Sequence, residues 1–237
     1  AIERIARNFD VNLETALPNI AYRETVVGQT SVSYKHKKQS GGHGQYGHVV
    51  LEIAPGETGK GITFGSKIVG GNVPKDYIPA VEKGVRNAAN SGVVAGFPVV
   101  DVAVMLTDGS SHSVDSSGMA FEIAASMGFR EAVREARPTL LEPVMNLRIL
   151  TPDDCAGDVM SDLSTRRAQI GGMESKGNGV TEIIAVAPAS TMQRYAADLR
   201  SLTHARGDFT AIMDHYEPLP AQEASKVIAS RQSSENE

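Results

Sequence analysis

Two stretches carry most of the side chains that could do chemistry. The first, Ser40 to His48, reads S-G-G-H-G-Q-Y-G-H; the second, Asp108 to Gly118, reads D-G-S-S-H-S-V-D-S-S-G. They hold His43, His48 and His112, and His36 lies just ahead of the first, so four of the six histidines sit in or beside them. Loops carry function more often than cores do. Four chemistries compete for these residues.

Phosphate binding is one. Gly42 to Val49 fits G-x-G-x-x-G-x-V, which contains both a kinase-type and a dinucleotide-type glycine pattern. A dinucleotide loop must open a helix whose N-terminus receives the pyrophosphate, and here a strand follows. A kinase needs H-R-D and D-F-G downstream, and neither occurs. Metal binding is the second: His36, His43, His48 and His112 with Asp108 or Asp115 would form the site of a free-standing metal-dependent hydrolase. Zinc ligands come in tighter pairs, and histidines flanked by glycine are poorly preorganised. A Ser–His–Asp arrangement from His112, Asp115 and Ser116 is the third. These lie within five residues of one another, too close for triad geometry, and Asp115, Ser116 and Ser117 are explained as caps of the helix that follows.

Surface recognition of RNA is the fourth. Glycine lets backbone approach a phosphate, Lys35, Lys37 and Lys38 bring charge, and Gln45, Tyr46 and the histidines can hydrogen-bond to or stack on unpaired bases. A plain structural hairpin with a solvated basic strand end explains the same residues, and residue chemistry leaves these two readings open.

Alternation predicts strands over T-S-V-S-Y-K-H-K and H-V-V-L-E-I-A-P, so the first stretch is the tip of a hairpin. Residues 1–9 read as an amphipathic helix, V-N-L-E-T as a strand and the segment from Ala16 to Val26 as a linker. A helix is predicted from Pro74 to Ser91, with Gly92 after its end, and a strand from Phe97 to Leu106. The next helix starts near Ser116 or Ser117 and runs to about Ala136, with Met119, Ile123, Met127 and Val133 on its apolar stripe. Beyond Glu142 the order is β-α-β-β-α-β, a ferredoxin-like arrangement, with the turn K-G-N-G between its middle strands. A short helix from Pro220 to about Ser230 and a disordered tail end the chain.

The 237 residues therefore divide into two α+β domains. A formal net charge of −5 argues against a dedicated duplex-DNA binder. One cysteine, Cys155, excludes a disulfide framework. No apolar run is long enough to span a membrane. The start A-I-E-R-I-A-R-N-F, without Met, reads as a fragment of a longer protein.

K-Q-S-G-G-H-G-Q-Y-G-H-V, I-V-G-G-N-V-P-K-D-Y-I-P-A-V-E-K-G, G-F-P-V-V-D-V and D-G-S-S-H-S-V-D-S-S-G-M-A-F, in that order, closely resemble domain IV of bacterial elongation factor G. L-E-P-V-M-N-L, G-D-V-M-S-D-L-S-T-R-R-A-Q-I-G-G-M and Y-A-A-D-L-R-S-L-T-H-A-R-G-D-F resemble its domain V. The resemblance implies the tail of domain III over 1–20, domain IV over 21–141, domain V over 142–218, and a C-terminal helix with tail over 219–237. It implies a ribosomal-protein-S5-domain-2-like domain IV with a left-handed βαβ crossover, and a C-terminal helix packed back on domain IV. The family is a GTP-dependent translocase that moves tRNA and mRNA from the A to the P site. By the same resemblance the partner is the ribosome: the small-subunit decoding centre with A-site tRNA and mRNA, and the large-subunit stalk base and sarcin–ricin loop. The implied RNA-binding tip comprises Lys38, Ser40, Gly41, Gly42, His43, Gly44, Gln45 and Tyr46, then Asp108, Gly109, Ser110, Ser111 and His112. GTP and Mg²⁺ belong to the parent protein; no G-x-x-x-x-G-K-[ST] occurs here, so the resemblance implies a non-enzymatic, cofactor-free, monomeric and cytoplasmic piece. His43 stands where the family commonly has Arg, and Gly118 where it commonly has Glu. Those departures fit a paralogue specialised for ribosome recycling as well as they fit a translocase.

Overall fold

The computed structural model describes residues 17–40 and 43–234. The helix expected over 1–9, the strand over 11–15 and the last three residues lie outside it. In chain order the described elements are β1 (Arg23–Val26), β2 (Thr30–Ser40), β3 (His43–Pro55), β4 (Ile62–Ser66), α1 (Ile78–Ser91), β5 (Val102–Ser110) and α2 (Gly118–Glu135). There follow β6 (Pro138–Pro152), α3 (Ala156–Thr165), β7 (Gln169–Gly177), β8 (Val180–Pro188), α4 (Tyr195–Leu202), β9 (Asp208–Pro218) and α5 (Ala221–Ser234). The chain forms two compact units, Ala21–Glu142 with the chain from Tyr216, and Pro143–His215 with the described residues before Ala21.

The first unit is built on a sheet of order β2-β3-β5-β4. β2, β3 and β5 are antiparallel neighbours, whereas β4 and β5 run parallel and are joined across α1. Alternation places Val49, Leu51 and Ile53 of β3 on the covered face, each at most 1% exposed. The residues of α2 that reach this face are small or aromatic: Ala120, Phe121, Ala124, Gly128, Phe129 and Ala132. Of the stripe expected for this helix, only Val133 is buried; Met119 and Met127 are 66% and 43% exposed. Two residues along a helix turn the side chain about 200°, so a stripe phased on Met119 misses one phased on Phe121. Small residues win the inward face because they let the helix axis approach the sheet.

Several boundaries differ from the sequence reading. Arg23–Val26 is not linker but strand, paired with Pro138–Leu141, and the short β4 was not anticipated. β5 begins at Val102, not Phe97, because Asp101 takes a left-handed φ of 57° and its carboxylate accepts the Gly59 and Gly61 amides at 3.0 and 3.1 Å. β5 also continues past Leu106 to Ser110, since β3 is long enough to pair it as far as His48 opposite Ser110. The helix expected from Pro74 starts as a 3-10 turn, Lys75–Tyr77, before α1. Gly92 ends it with φ 74° and ψ 168°, positive in φ yet extended in ψ. α5 runs through Ser234, beyond its expected end and into the segment read as tail. It lies against this unit, with Val227 and Ile228 packed on Ala95, Leu140 and Leu219.

The second unit has the expected β-α-β-β-α-β order, here β6-α3-β7-β8-α4-β9. β6 and β8 are central neighbours, with β7 outside β8 and β9 paired to β6. α3 and α4 supply Val159, Leu163, Tyr195 and Leu199 to a core completed by Leu147 and Ile183. The turn at K-G-N-G has positive φ at Gly177, Asn178 and Gly179. The second helix of this order is short, a 3-10 turn at Ala189–Thr191 preceding α4. Among the described residues no helix is long and apolar enough to cross a membrane.

Candidate nucleic-acid interface

The two chemistry-bearing stretches meet at one end of the first unit, and less of each is loop than expected. Gly44, Gln45, Tyr46, Gly47 and His48 are β3 residues paired with Gln39, Lys38, Lys37, His36 and Lys35. Asp108, Gly109 and Ser110 are β5 residues opposite Val50, Val49 and His48. Ser111 and His112 open the connection to α2. Gly41 and Gly42 lie outside the described residues, as do the side chains of Ser40 and His43.

Asp115 and Ser116 tie the connection to the hairpin. Asp115 Oδ1 accepts the Gly44 amide at 3.0 Å, and its backbone carbonyl accepts the Tyr46 amide at 2.8 Å. Ser116 Oγ donates to the Tyr46 carbonyl at 2.9 Å and accepts the His112 amide at 2.8 Å. Only Ser117 caps the helix, its hydroxyl accepting the Ala120 amide. The Ser–His–Asp alternative has no reactive hydroxyl, because the Ser116 proton is given to a backbone carbonyl. His112 Nδ1 faces the Val114 and Asp115 amides at 3.3 and 3.2 Å, which fixes its half-exposed ring at the tip.

The glycines serve the fold itself. A Cβ on Gly44 would meet the Asp115 carboxylate, and one on Gly47 would lie 2.6 Å from the Ala120 carbonyl of α2. The G-x-G-x-x-G run is therefore strand packed against helix and loop. Its Gly44 and Tyr46 amides are already bonded, so these residues do not fit a nucleotide's phosphates.

The histidines diverge. His36 Nε2 pairs with Gln45 Oε1 at 3.0 Å. His48 lies between two hydroxyls, Ser33 Oγ on Nε2 and Ser110 Oγ on Nδ1, both at 2.9 Å, and Ser110 Oγ reaches the Tyr46 hydroxyl at 2.8 Å. Burial and the Lys35 ammonium hold the His48 pKa below the usual imidazole range, against the attraction of Asp108. Asp108 is itself lowered, chiefly by the Asn72 amide at 3.0 Å. Among the described residues no three of His, Cys, Asp and Glu converge as a metal site.

What the tip presents outward is an open cavity of about 240 Å³ between Lys37, Lys38, Gln45, Tyr46, His112 and Asp115. The Tyr46 and His112 rings stand 6.2 Å apart at 51°. Two ammonium groups beside two tilted rings can take a phosphate and an unstacked base together. Lys37 joins the expected set because antiparallel register puts it opposite Tyr46; the basic run Y-K-H-K-K was its signal.

Residues 18–137 match the family model described as elongation factor G, domain IV. Residues 139–227 match the model of the elongation factor G C-terminus. The chain belongs to the elongation factor G family. A solved crystal structure of a protein from Thermus thermophilus is 39% identical to it, with a TM-score of 0.85, over 98% of this chain and 34% of that one. The chain thus spans about a third of the length of that relative.

Family membership gives the α+β architecture its place. The unit carrying the tip is the elongation factor G domain IV match, and the ferredoxin-like unit lies in the match to the family's C-terminus. Gly118, which the resemblance suggested as a departure from the family pattern, is not forced by packing: a Cβ there would be 3.7 Å from Ala80 Cβ, an ordinary contact.

Proposed function

We propose that this chain is the ribosome-binding C-terminal part of an elongation factor G, and that the domain IV tip enters the A site of the small subunit while tRNA and mRNA move to the P site. The observation that carries this reading is the tip itself. Backbone and side-chain bonds from Asp115 and Ser116 lock two chain segments together. Lys37, Lys38, Gln45, Tyr46 and His112 are left facing outward around one cavity.

Such a tip acts by holding a codon–anticodon duplex through phosphate contact and stacking, with no bond made or broken. In this reading GTP and Mg²⁺ are bound by a separate GTPase domain of the parent, and the C-terminal domain contacts the large subunit near the stalk base and the sarcin–ricin loop. The test uses the full-length parent on a pre-translocation ribosome, with mRNA position read by toeprinting. His112→Ala is expected to slow the advance at least tenfold with GTP hydrolysis little changed. An advance at the parental rate would refute the role of the tip.

A second reading, with which the unforced Gly118 and His43 in place of Arg agree equally well, is a paralogue specialised for recycling. It predicts no advance of mRNA by the unmodified parent, but subunit splitting once recycling factor is added.

A further inference from the structure

A larger cavity, about 590 Å³, opens elsewhere in the same unit among residues the tip does not use. Three arginines line it, Arg23, Arg86 and Arg231, and among the described residues no carboxylate does. That is a local inversion of charge in a chain with 28 acidic and 23 basic residues. The guanidiniums are set rather than loose. Arg23 lies over the Tyr216 ring at 4.5 Å and Arg231 over the Phe97 ring at 5.0 Å. Tyr22 packs against Phe97 with centroids 5.4 Å apart, and the Tyr216 hydroxyl is anchored to the Ala21 carbonyl at 3.0 Å.

A guanidinium stacked on a ring keeps its in-plane N–H edge for an acceptor, and its fork matches the oxygens of a phosphate. Arg86 is different. It is held by Glu82 at 2.9 and 2.7 Å and by the Ile62 carbonyl at 3.2 Å, so its charge is locally compensated. Arg23 and Arg231 are left as two cationic forks. Beside them stand an amide, Asn90, and an apolar wall of Phe97, Pro98 and Ile62. The volume exceeds what an inorganic anion needs and lies within the range of small-ligand sites.

The geometry points to a nucleotide-binding site in this cavity: a phosphate ester on Arg23 and Arg231, with its planar base against the apolar wall and its edge toward Asn90. The phosphate ester comes from a free nucleotide or from one unit of an RNA strand. Both are tested by calorimetric titration of the chain, with adenosine 5′-monophosphate in one arm and a short single-stranded oligoadenylate in the other. Binding of the monophosphate assigns the site to a free nucleotide, and binding of the oligonucleotide alone assigns it to a strand. In either case Arg231→Ala is expected to weaken binding roughly tenfold or more, as loss of a charge-assisted bond does. In the strand case it also lowers the slope of log affinity against log salt by about 0.7. Arg23→Lys, which keeps charge but loses the stacked fork, provides a second variant should Arg231→Ala melt early. The proposal is overturned if neither probe binds, or if both arginine variants bind like the parent, which would place the ligand elsewhere on the chain.

Discussion

Two loops of the first unit are each tied down by one carboxylate, and the ties are made differently. Glu24 of β1 is fully buried. It accepts four backbone amides from the chain just after α1: Val93 at 2.8 Å, Val94 at 2.9 Å, Ala95 at 2.8 Å and Phe97 at 3.1 Å. Asp115, at the tip, is partly exposed and accepts one amide from across the hairpin, that of Gly44. A buried charge is tolerable only when hydrogen bonds replace its water, so the loop around Glu24 has one conformation and the carboxylate enforces it. At the tip the Asp115 carboxylate is partly exposed, so water can compete for its bond to Gly44. The comparison separates a loop closed by a buried carboxylate from one closed by an accessible one.

Glu24→Ala tests the first half and carries the largest expected effect. Several amides lose a charged acceptor, and each orphaned buried donor costs about 1–3 kcal/mol. The urea transition of the unit holding Glu24 is expected to lose roughly 3–5 kcal/mol. A loss below about 1 kcal/mol would mean that water replaces the carboxylate freely and would erase the contrast with Asp115.

Gly47→Ala comes next. Its Cβ would press on the Ala120 carbonyl, and overpacking of this kind costs about 1–3 kcal/mol. Because β3 and α2 meet there, the signature is a stability loss together with shifted amide resonances in both elements. Unchanged resonances in α2 would contradict the close approach.

Asp115→Ala is expected to cost only about 1 kcal/mol, the net worth of an accessible hydrogen bond. Amide exchange at Gly44 should nonetheless rise steeply, while exchange at Val93, Val94 and Ala95 stays at its original rate. If the tip mutation also speeds exchange around Glu24, the two ties are not independent.

How much of this was legible depends on where the information lies. The start of α2 could be read from Ser117, and the second unit from its element order and the K-G-N-G turn, because caps and turns are set by residues a few positions apart. The meeting of the two chemistry-bearing stretches was visible only through the resemblance. Their strand character was hidden by glycines, which by propensity argue against strands but are required by the nearness of Ala120 and Asp115. β1 and Glu24 were invisible for a related reason. The four amides that satisfy Glu24 lie about 70 residues away and belong to apolar residues that give no sign of bonding through their backbone. The inward face of α2 was misphased because hydrophobicity favours methionine, while close helix–sheet packing favours alanine and glycine.

The smallest expected effect concerns His48, which stands between the two regimes: part of the tip's strand, yet bonded on both ring nitrogens. Burial and Lys35 lower its pKa in the folded chain, so as pH falls the unfolded chain takes up the proton first. The stabilisation is complete above the ordinary histidine value of about 6.5 and is lost as pH drops through it toward the depressed folded value. The lowered carboxylates Asp108, Asp154 and Glu182 lose their contribution only at lower pH, as pH falls below the ordinary carboxylate values of about 4. The difference between the parent and His48→Gln in melting temperature, compared at about pH 8 and about pH 5.5, thus isolates this imidazole from the other histidines. The parent is expected to lose more between the two than His48→Gln, which can still bond to Ser33 and Ser110 but does not titrate. If the two fall in parallel, protonated His48 is accommodated at no cost, and the hydroxyls around it belong with the adaptable, water-exposed bonds of Asp115 rather than with the fixed ones of Glu24.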